Sequence, residues 1–329
     1  MGMSTDSESF FNLTPEHILS AVEQVGCRST GRSYALNSLE NRVYEIELED
    51  ERRVVGKFYR PGRWSREAIL EEHEFLADLA AQEIPVAEPL KLQDGSTLGV
   101  AEGNILFAVF PKLRGRAPQE LDPDQLLQLG RFVGRIHNVG ASKKAPHRMI
   151  LNPENYGRGA LNFLIDNNWL PMELATRYKT VATEIIDLIS PWFEGLKTHR
   201  IHGDCHLGNL LYDQQGNAFF LDFDDLVTGP AVQDFWLLVP GQDEAALSSR
   251  EVFLKGYTEM REFDRTQLKL IEPLRSLRIL HYSAWIARRW KDPAFPRIFT
   301  EFNTHNYWET EIRDLNRQRD LIRSFDKIV

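Results

Sequence analysis

The chain has 329 residues, of which 42% are hydrophobic and 26% charged, as is usual for a globular protein of one large or two medium domains. Its net charge of −9 argues against a nucleic-acid-binding protein, because such proteins usually carry a basic excess, and weakly favours cationic substrates or basic peptide segments. Cys27 and Cys205 give no disulfide framework, and no apolar run approaches the ~20 residues that cross a bilayer. We expect a cytoplasmic monomer that binds neither nucleic acid nor membrane.

The first third of the chain is predicted to be rich in strands. Residues 1–12 read as a disordered lead-in, and Thr14-Pro15 begins a short helix because proline is favoured at the first helical position. Two β-rich runs within residues 42–59 flank a charged turn and predict a hairpin. A helix over residues 65–83 and an apolar strand over residues 104–110 follow.

The rest of the chain is predicted to be mainly helical, after a linker at KLRGRAPQ. The predicted helices lie near residues 123–139, 171–194, 244–260, 265–290 and 304–325. Short strands interrupt them around residues 200–202, 210–212 and 218–221. This order predicts an α+β, two-lobed, protein-kinase-like fold. Residues 1–111 would form a small β-rich nucleotide-binding lobe and residues 112–329 a larger helical catalytic and substrate lobe, with the nucleotide in a cleft near residues 109–113.

Two short motifs, IHGDCHLGN at residues 201–209 and FLDFDD at residues 220–225, carry the residue types that phosphoryl transfer requires. Asp204 and Asn209 have the Asp-x4-Asn spacing of a kinase catalytic loop, and Asp222 begins a sequence resembling the kinase Asp-Phe-Gly element. One carboxylate orients the attacking hydroxyl, while a second carboxylate and an amide oxygen hold Mg²⁺ against the phosphates of ATP. A single aspartate after His-Gly fits an ordinary turn, but the three residues together favour a kinase site. Asp224 and Asp225 are predicted to support it rather than to bind metal directly.

Lys57 and Glu72 are predicted to form an ion pair. Lys57 lies within the strand sequence VVGKFY, where alternation alone would also permit a solvent-facing side chain. Glu72 shares the apolar face of the helix predicted over residues 65–83, and a carboxylate there is costly unless it is paired. The pair would position the α- and β-phosphates of the nucleotide.

Three further patterns leave alternatives open. No glycine-rich phosphate loop precedes Lys57, and LNSLENRVY, which contains Ser38, fits a phosphate-capping loop and a polar hairpin equally well. His202, Cys205 and His206 lack the second ligand pair that structural zinc needs, and a Cys-His catalytic pair is weaker still because adjacent side chains tend to point apart. Four aromatic residues would suit either a cage for a choline-like cation or, as we favour, a helical core: Trp285, Trp290, Tyr307 and Trp308.

With these residues identified, the chain resembles the aminoglycoside phosphotransferase and choline kinase superfamily, and within it bacterial serine/threonine protein kinases of the stress response. The similarity covers residues 37–296 and includes LNSLENRVY, KFYRPGRW, LEEHEF, AVFP, IHGDCHLGN, GPAVQDFW, IEPLR and RRWKDPAFP. The last segments are much more specific than IHGDCHLGN, which marks the whole superfamily.

The resemblance implies a role for each candidate residue. Asp204 would be the catalytic proton acceptor, Asn209 and the catalytic Asp222 the Mg²⁺ ligands, and Asp234 the acid that supports the catalytic loop. It likewise implies that Ser38, Lys57 and Glu72 contact or position the nucleotide. Gly203 replaces the arginine of the eukaryotic His-Arg-Asp motif and no Ala-Pro-Glu element follows Asp222, so control by activation-loop phosphorylation is not implied.

The resemblance therefore implies an ATP- and Mg²⁺-dependent serine/threonine protein kinase that phosphorylates itself and acts in bacterial stress survival. The motif residues do not choose the acceptor, so a kinase for a small alcohol such as choline, homoserine or an aminoglycoside is the alternative. A non-enzymatic nucleotide-binding module is disfavoured because every residue of the transfer motif is present.

Overall fold

The computed structural model describes residues 10–11 and 13–326 of the chain. Within them, a lobe built on an antiparallel sheet precedes a larger lobe dominated by helices, which confirms the predicted kinase-like α+β architecture. Most of the lead-in predicted over residues 1–12 lies outside the described residues. Phe10, however, is buried, and the guanidinium carbons of Arg42 and Arg60 lie 4.9 and 5.1 Å from its ring centroid. The prediction of disorder was wrong at this residue, because Phe10 belongs to the core of the first lobe.

In the described part of the first lobe, five strands accompany two α-helices of eight residues or more. Helix α1 (Pro15–Val22) begins after Thr14, whose hydroxyl accepts a hydrogen bond from the backbone N–H of His17, and α2 (Arg66–Ala81) begins after Ser65 in the same way. The strands are β1 (Ser29–Ala35), β2 (Arg42–Leu48), β3 (Arg53–Phe58), β4 (Gly99–Ala101) and β5 (Ile105–Pro111). They pair in the order β1-β2-β3-β5-β4, and the β2–β3 hairpin has the predicted turn.

The second lobe is mainly helical. Its α-helices are α3 (Pro123–Ser142), α4 (Gly159–Asp166), α5 (Met172–Ile189), α6 (Gln233–Trp236), α7 (Glu244–Met260), α8 (Ile271–Arg288), α9 (Ala294–Ile298) and α10 (His305–Asp326). Two short antiparallel pairs join β6 (His199–Ile201) to β9 (Val227–Gly229) and β7 (Leu210–Tyr212) to β8 (Ala218–Phe220). A π-helical turn, Pro153–Arg158, precedes α4, and neither was predicted. No helix in the described part of the chain is both long and apolar enough to cross a bilayer.

The predicted linker between the lobes has irregular structure. It follows β5 and leads to α3, and Arg116 exchanges two backbone hydrogen bonds of 2.9 Å with Tyr212. The linker is therefore held against β7, beside the catalytic motifs. The division of the chain at residue 111 into two domains stays a prediction.

Two hydrophobic cores support the second lobe. One lies between α2, α3, α7 and the short strands, and so surrounds the motif IHGDCHLGN. The other lies between α4, α5, α8 and α10 and takes up all four candidate cage aromatics: Trp285, Trp290, Tyr307 and Trp308. Trp290, Tyr307 and Trp308 each pack on Phe302, and Trp285 packs on Phe295 and Phe299. Core packing is therefore the correct interpretation for these aromatics.

Candidate active site

The loop that contains Asp204 is held by a buried carboxylate. Asp234, next to the start of α6, accepts hydrogen bonds of 2.8 Å from the backbone N–H groups of His202 and Gly203, and one of 3.0 Å from His137 Nε2. Gly203 has a φ of +86°, and a Cβ atom there would overlap the backbone oxygen of Asp225. The resemblance placed a supporting acid at Asp234, and the structure shows that contact. It also shows why no arginine stands at position 203.

Asp204 and Asn209 lie at the two ends of this loop. Arg278 Nη1 donates a hydrogen bond of 2.8 Å to Asp204 Oδ1, and His206 Nε2 lies 3.4 Å from the other carboxylate oxygen. Burial alone would raise the pKa of Asp204, but the hydrogen bond from His206 and the charge of Arg278 hold it well below its usual range. Asn209 Nδ2 donates to the backbone oxygen of Asp204 at 2.9 Å, and no donor among the described residues reaches its Oδ1. At neutral pH the loop thus presents an ionised carboxylate and a free amide oxygen.

The backbone of Leu221 brings Asp222 beside the loop. Leu221 donates a 2.9 Å hydrogen bond to the backbone oxygen of Asn209, and its own oxygen accepts one of 2.8 Å from His202 Nε2. His202 is therefore a buried, hydrogen-bonded histidine. Asp222 has left-handed backbone angles (φ 57°, ψ 63°), and 56% of its side chain is exposed. Asp222 therefore lines the same cleft as Asn209 and Asp204.

Lys57 is buried rather than solvent-facing, and it contacts three carboxylates. Its Nζ lies 3.0 Å from Asp222, 3.4 Å from Asp224 and 3.5 Å from Glu72. Burial alone would lower the pKa of Lys57, but the charges of these acids raise it well above its usual value. The predicted Lys57–Glu72 ion pair is present, and Lys57 also forms an ion pair with Asp222, the first residue of the Asp-Phe motif.

Two arginines that the sequence did not indicate complete this network. Arg63 forms ion pairs with Asp224 and with Asp225. Arg148 is buried and donates to Glu72 Oε2 at 3.1 Å and to the backbone oxygen of Asp224 at 2.6 Å. Burial alone would raise the pKa of Asp224, but Arg63, Lys57 and Arg148 hold it well below its usual range. Asp224 is thus a buried, ionised carboxylate, and its role as a support rather than a metal ligand stays a prediction. Arg63 could have been suspected from KFYRPGRW.

The loop between β1 and β2 lies over the same cleft. Ser38 accepts a 3.4 Å hydrogen bond from the backbone N–H of Asn41, and the buried Asn41 side chain donates to Asp224 at 3.1 Å. Asn41 therefore fixes this loop to the motif FLDFDD. The loop lines the cleft as a phosphate-capping loop would, but its backbone hydrogen bonds are also those of a polar hairpin.

One cleft between the lobes, with a volume of about 1040 Å³, gathers all the candidate residues. It is lined by the six that the sequence indicated: Ser38, Lys57, Glu72, Asp204, Asn209 and Asp222. It also includes residues 110–113 of the range 109–113 near which the nucleotide is predicted to bind. His202, Cys205 and His206 do not converge, because His202 contacts Leu221, Cys205 is buried and His206 contacts Asp204.

Comparison with known proteins agrees with this geometry. The model of the phosphotransferase enzyme family (APH) matches residues 35–271. The chain belongs to this family. Stress response kinase A of Escherichia coli (strain K12) is 38% identical over 307 residues, which are 93% of this chain and 92% of that protein. Serine/threonine protein kinase RdoA of Salmonella typhimurium (strain LT2) is 36% identical over 321 residues, 97% of each chain. As the sequence predicted, this family member is a phosphotransferase of the kinase type.

Solved structures of phosphotransferases share the fold. Amicoumacin kinase hAmiN, in complex with AMP-PNP, Ca²⁺ and Ami, aligns with a TM-score of 0.73 at 21% identity, over 95% of this chain and 96% of that one. A microcompartment-associated aminopropanol kinase aligns with a TM-score of 0.67 at 19% identity, over 94% and 97%. Spectinomycin phosphotransferase aligns with a TM-score of 0.63 at 14% identity, over 92% and 98%. At these identities the likeness shows the kinase-like fold alone.

Proposed function

We propose that this phosphotransferase transfers the γ-phosphoryl group of ATP, with Mg²⁺, to serine or threonine hydroxyls of proteins, itself included, in the bacterial cytoplasm during stress. The observation that carries the transfer chemistry is the convergence of Asp204, Asn209, Asp222 and Lys57 in one cleft. The choice of a protein acceptor is supported by the names of the relatives that match nearly the whole chain.

The residues at the end of the cleft fit a magnesium ion. Asp222 offers a carboxylate, and 56% of its side chain is exposed. Asn209 offers its amide oxygen, because its –NH₂ group already donates to the backbone oxygen of Asp204. These are hard oxygen donors, and a site with two of them leaves places for phosphate and water oxygens. Bound there, Mg²⁺ would neutralise charge on the phosphate oxygens. The remaining steps belong to side chains of the protein.

Asp204 is proposed to accept the proton of the attacking hydroxyl. The hydroxyl oxygen forms a bond to the γ-phosphorus while the bond from that phosphorus to the β–γ bridging oxygen breaks, and ADP leaves with the bonding electrons. The hydroxyl proton passes to the Asp204 carboxylate, which is ionised because His206 and Arg278 lower its pKa. Lys57, fixed by Glu72 and Asp224, is proposed to hold the α- and β-phosphates.

Incubation of the purified protein with γ-labelled ATP and Mg²⁺ tests the proposed activity. We expect label on serine or threonine of the protein itself and of proteins in a bacterial extract, and none when Mg²⁺ is chelated. Absence of label on every protein, with ATP intact or consumed on a metabolite, would contradict a protein kinase.

Replacement of Asp222 by alanine tests the metal site. The variant should lose Mg²⁺-dependent nucleotide binding, because Asn209 alone retains a ligand oxygen, and its turnover should fall by ~10²-fold or more. Calorimetric titration with ATP, with and without Mg²⁺, measures the binding. Asp213→Ala, in the exposed turn between β7 and β8, is the matched control and should bind as the unaltered protein does. Unchanged binding by Asp222→Ala would remove Asp222 from the metal site.

A small-alcohol kinase is the second candidate. It is favoured by the titles of the solved structures with this fold, which name kinases for amicoumacin and aminopropanol and a spectinomycin phosphotransferase. A metabolite screen coupled to ADP release separates the two, since turnover of one alcohol without protein labelling would select this candidate.

A further inference from the structure

One face of helix α8 forms the wall of the cleft beside Asp204. Residues at intervals of three and four positions along a helix share a face. Beyond Leu274 and Leu277, which also line the cleft, this face contributes five residues of α8 and Arg289, which directly follows the helix. These are Arg278, His281, Tyr282, Trp285, Arg288 and Arg289. The wall therefore combines three guanidinium groups with two aromatic rings, next to the proposed proton acceptor.

Arg278 and Arg288 are the two arginines of this wall that remain accessible. Arg278 contacts Asp204 Oδ1 through Nη1 at 2.8 Å, yet 43% of its side chain is exposed. Arg288 is exposed and lies 4.5 Å from the ring centroid of Phe163, and no carboxylate in the described residues forms an ion pair with it. Arg289, by contrast, forms an ion pair with Glu40, and its Nε lies 2.5 Å from Glu40 Oε2. Arg278 and Arg288 thus keep hydrogen-bond donors for a molecule in the cleft.

The local charge differs in sign from the charge of the whole protein. The chain carries −9 overall, which by itself favours cationic partners. Near α8, however, the acids Asp225 and Glu40 are each paired with a basic residue, Arg63 and Arg289. A cationic acceptor would lie against Arg288, which has no ion-pair partner among the described residues, whereas an anionic one would pair with Arg288 and with the donors of Arg278 that Asp204 does not occupy.

Resting on the proposed protein kinase activity, we propose that the acceptor is an acidic peptide segment, in which carboxylate side chains flank the phosphorylated serine or threonine. Arg278 is the specificity residue closest to the reacting hydroxyl. A carboxylate bound by its free donors lies beside Asp204, and consecutive Cα atoms of a peptide are only ~3.8 Å apart. When Arg278 binds the carboxylate of an acidic residue adjacent to the acceptor serine or threonine, the acceptor hydroxyl lies beside Asp204.

The aromatic residues of the wall favour a peptide over a small anion. Tyr282 is 44% exposed and stacks on Trp285, with ring centroids 5.5 Å apart and an interplanar angle of 15°. The stacked pair lies in sequence between Arg278 and Arg288. It offers an apolar surface to the backbone and side-chain carbons of an extended segment whose carboxylates reach the two arginines.

The test compares peptides of equal length, each with a single serine flanked by glutamate, alanine or lysine. With the full-length protein, ATP and Mg²⁺, we expect kcat/KM to fall by about tenfold from the glutamate to the alanine peptide, the change that one charge-assisted hydrogen bond produces, and further for lysine. Equal turnover of all the peptides, or a preference for lysine, would overturn this inference and leave the protein kinase activity standing. Turnover of no peptide or protein, with ATP consumed on a small alcohol, would overturn both.

Substitutions on α8 separate charge recognition from an effect on Asp204. Arg278→Gln should reduce the preference for the glutamate peptide by about tenfold, mainly through KM, and Arg278→Lys should restore part of it. Arg288→Gln, which does not contact Asp204, should also reduce that preference. Arg177→Gln, on the exposed face of α5 where Arg177 pairs with Glu309, is the control and should retain it. An equal loss for all the peptides in Arg278→Gln would show that Arg278 acts only through Asp204, and would overturn the inference.

Discussion

Asp234 shows how one buried carboxylate fixes the geometry of the catalytic loop. Only 1% of it is exposed, and its two oxygens accept two backbone N–H groups of the loop and one N–H of His137. An ionised carboxylate is needed because it accepts hydrogen bonds at both oxygens and donates none. Asp204 follows Gly203 directly, so its position depends on these contacts.

Asp234→Asn should therefore impair catalysis without preventing ATP binding. The amide places –NH₂ against one of the N–H donors, so we expect kcat to fall about tenfold or more and the free energy of unfolding to drop by about 3 kcal/mol, with KM for ATP little changed. Steady-state kinetics and urea unfolding measure both. Asp213→Asn, whose exposed carboxylate also accepts backbone N–H groups, should keep its kcat. A folded Asp234→Asn variant with unaltered kcat would contradict the argument.

Site residues that lie close together in the sequence could be predicted, whereas residues that reach the site only through tertiary contacts could not. Asp204, Asn209 and Asp222 lie within two neighbouring motifs, and the polarity of Glu72 on an apolar helix face led to Lys57. Arg148 and Arg278 gave no such signal, because their partners Asp224 and Asp204 lie 76 and 74 positions away in the sequence. These contacts form only when the chain folds, so the spacing of residues in the sequence does not predict them.

Among the helices, α10 contributes a buried polar contact to α8. Ser283 on α8 donates a 2.7 Å hydrogen bond to Glu311 Oε2 on α10, and its hydroxyl lies 2.8 Å from Tyr307 Oη. Burial raises the pKa of Glu311 from its ordinary value to about 7, only partly offset by the hydrogen bond from Ser283. The interface between the helices therefore favours the neutral carboxylic acid.

The stability of the protein should consequently depend on pH through Glu311. Because the folded-state pKa lies above the ordinary value of 4.5, this contribution is complete below pH 4.5 and is lost as the pH rises through about 7. After allowance for solvent contact at this half-buried side chain, we expect a loss of about 2 kcal/mol.

Glu311→Gln retains the shape of the side chain and should remove this pH dependence. Unfolding in urea at a series of pH values measures it, with Glu309→Gln, an exposed neighbour on α10, as the control. A parallel pH dependence in Glu311→Gln and in the unaltered protein would contradict the assignment.

Regular periodicity was sufficient for most of the longer helices and for β2, β3 and β5, whereas β1 and β4 of the first lobe were not predicted. The π-helical turn and α4 were missed because Pro153, Gly157 and Gly159 interrupt the apolar pattern there. Strand β9 was missed because it has only three residues and is defined by pairing with β6, not by its own sequence.

Polar contacts join the two lobes. Asp292, buried after α8, accepts hydrogen bonds from Arg42 on β2 at 3.0 Å and from Arg60 after β3 at 2.8 Å. It lies in RRWKDPAFP, a segment that supported the resemblance without any assigned role. Its position shows that this segment fixes the first lobe on the second.

Asp292→Ala should loosen that junction. Two partly buried guanidinium groups lose their partner, so we expect a loss of about 3 kcal/mol in unfolding free energy and a higher KM for ATP, whose site spans both lobes. Asp187→Ala, which removes an exposed ion pair with Arg158, should cost less than about 1 kcal/mol. Urea unfolding and ATP titration compare them, and equal effects of the two substitutions would contradict a role for Asp292 between the lobes.

The reaction proposed for the cleft is transfer of a phosphoryl group from ATP to a protein hydroxyl, with Asp204 as proton acceptor. The most direct measurement is single-turnover transfer of label from γ-labelled ATP to protein serine or threonine by Asp204→Asn, with nucleotide affinity measured in parallel. We predict a rate lowered by ~10²- to 10⁴-fold at near-normal ATP affinity, because general-base catalysis contributes that much. Transfer within about twofold of the unaltered rate would contradict the account, because another group would then accept the proton.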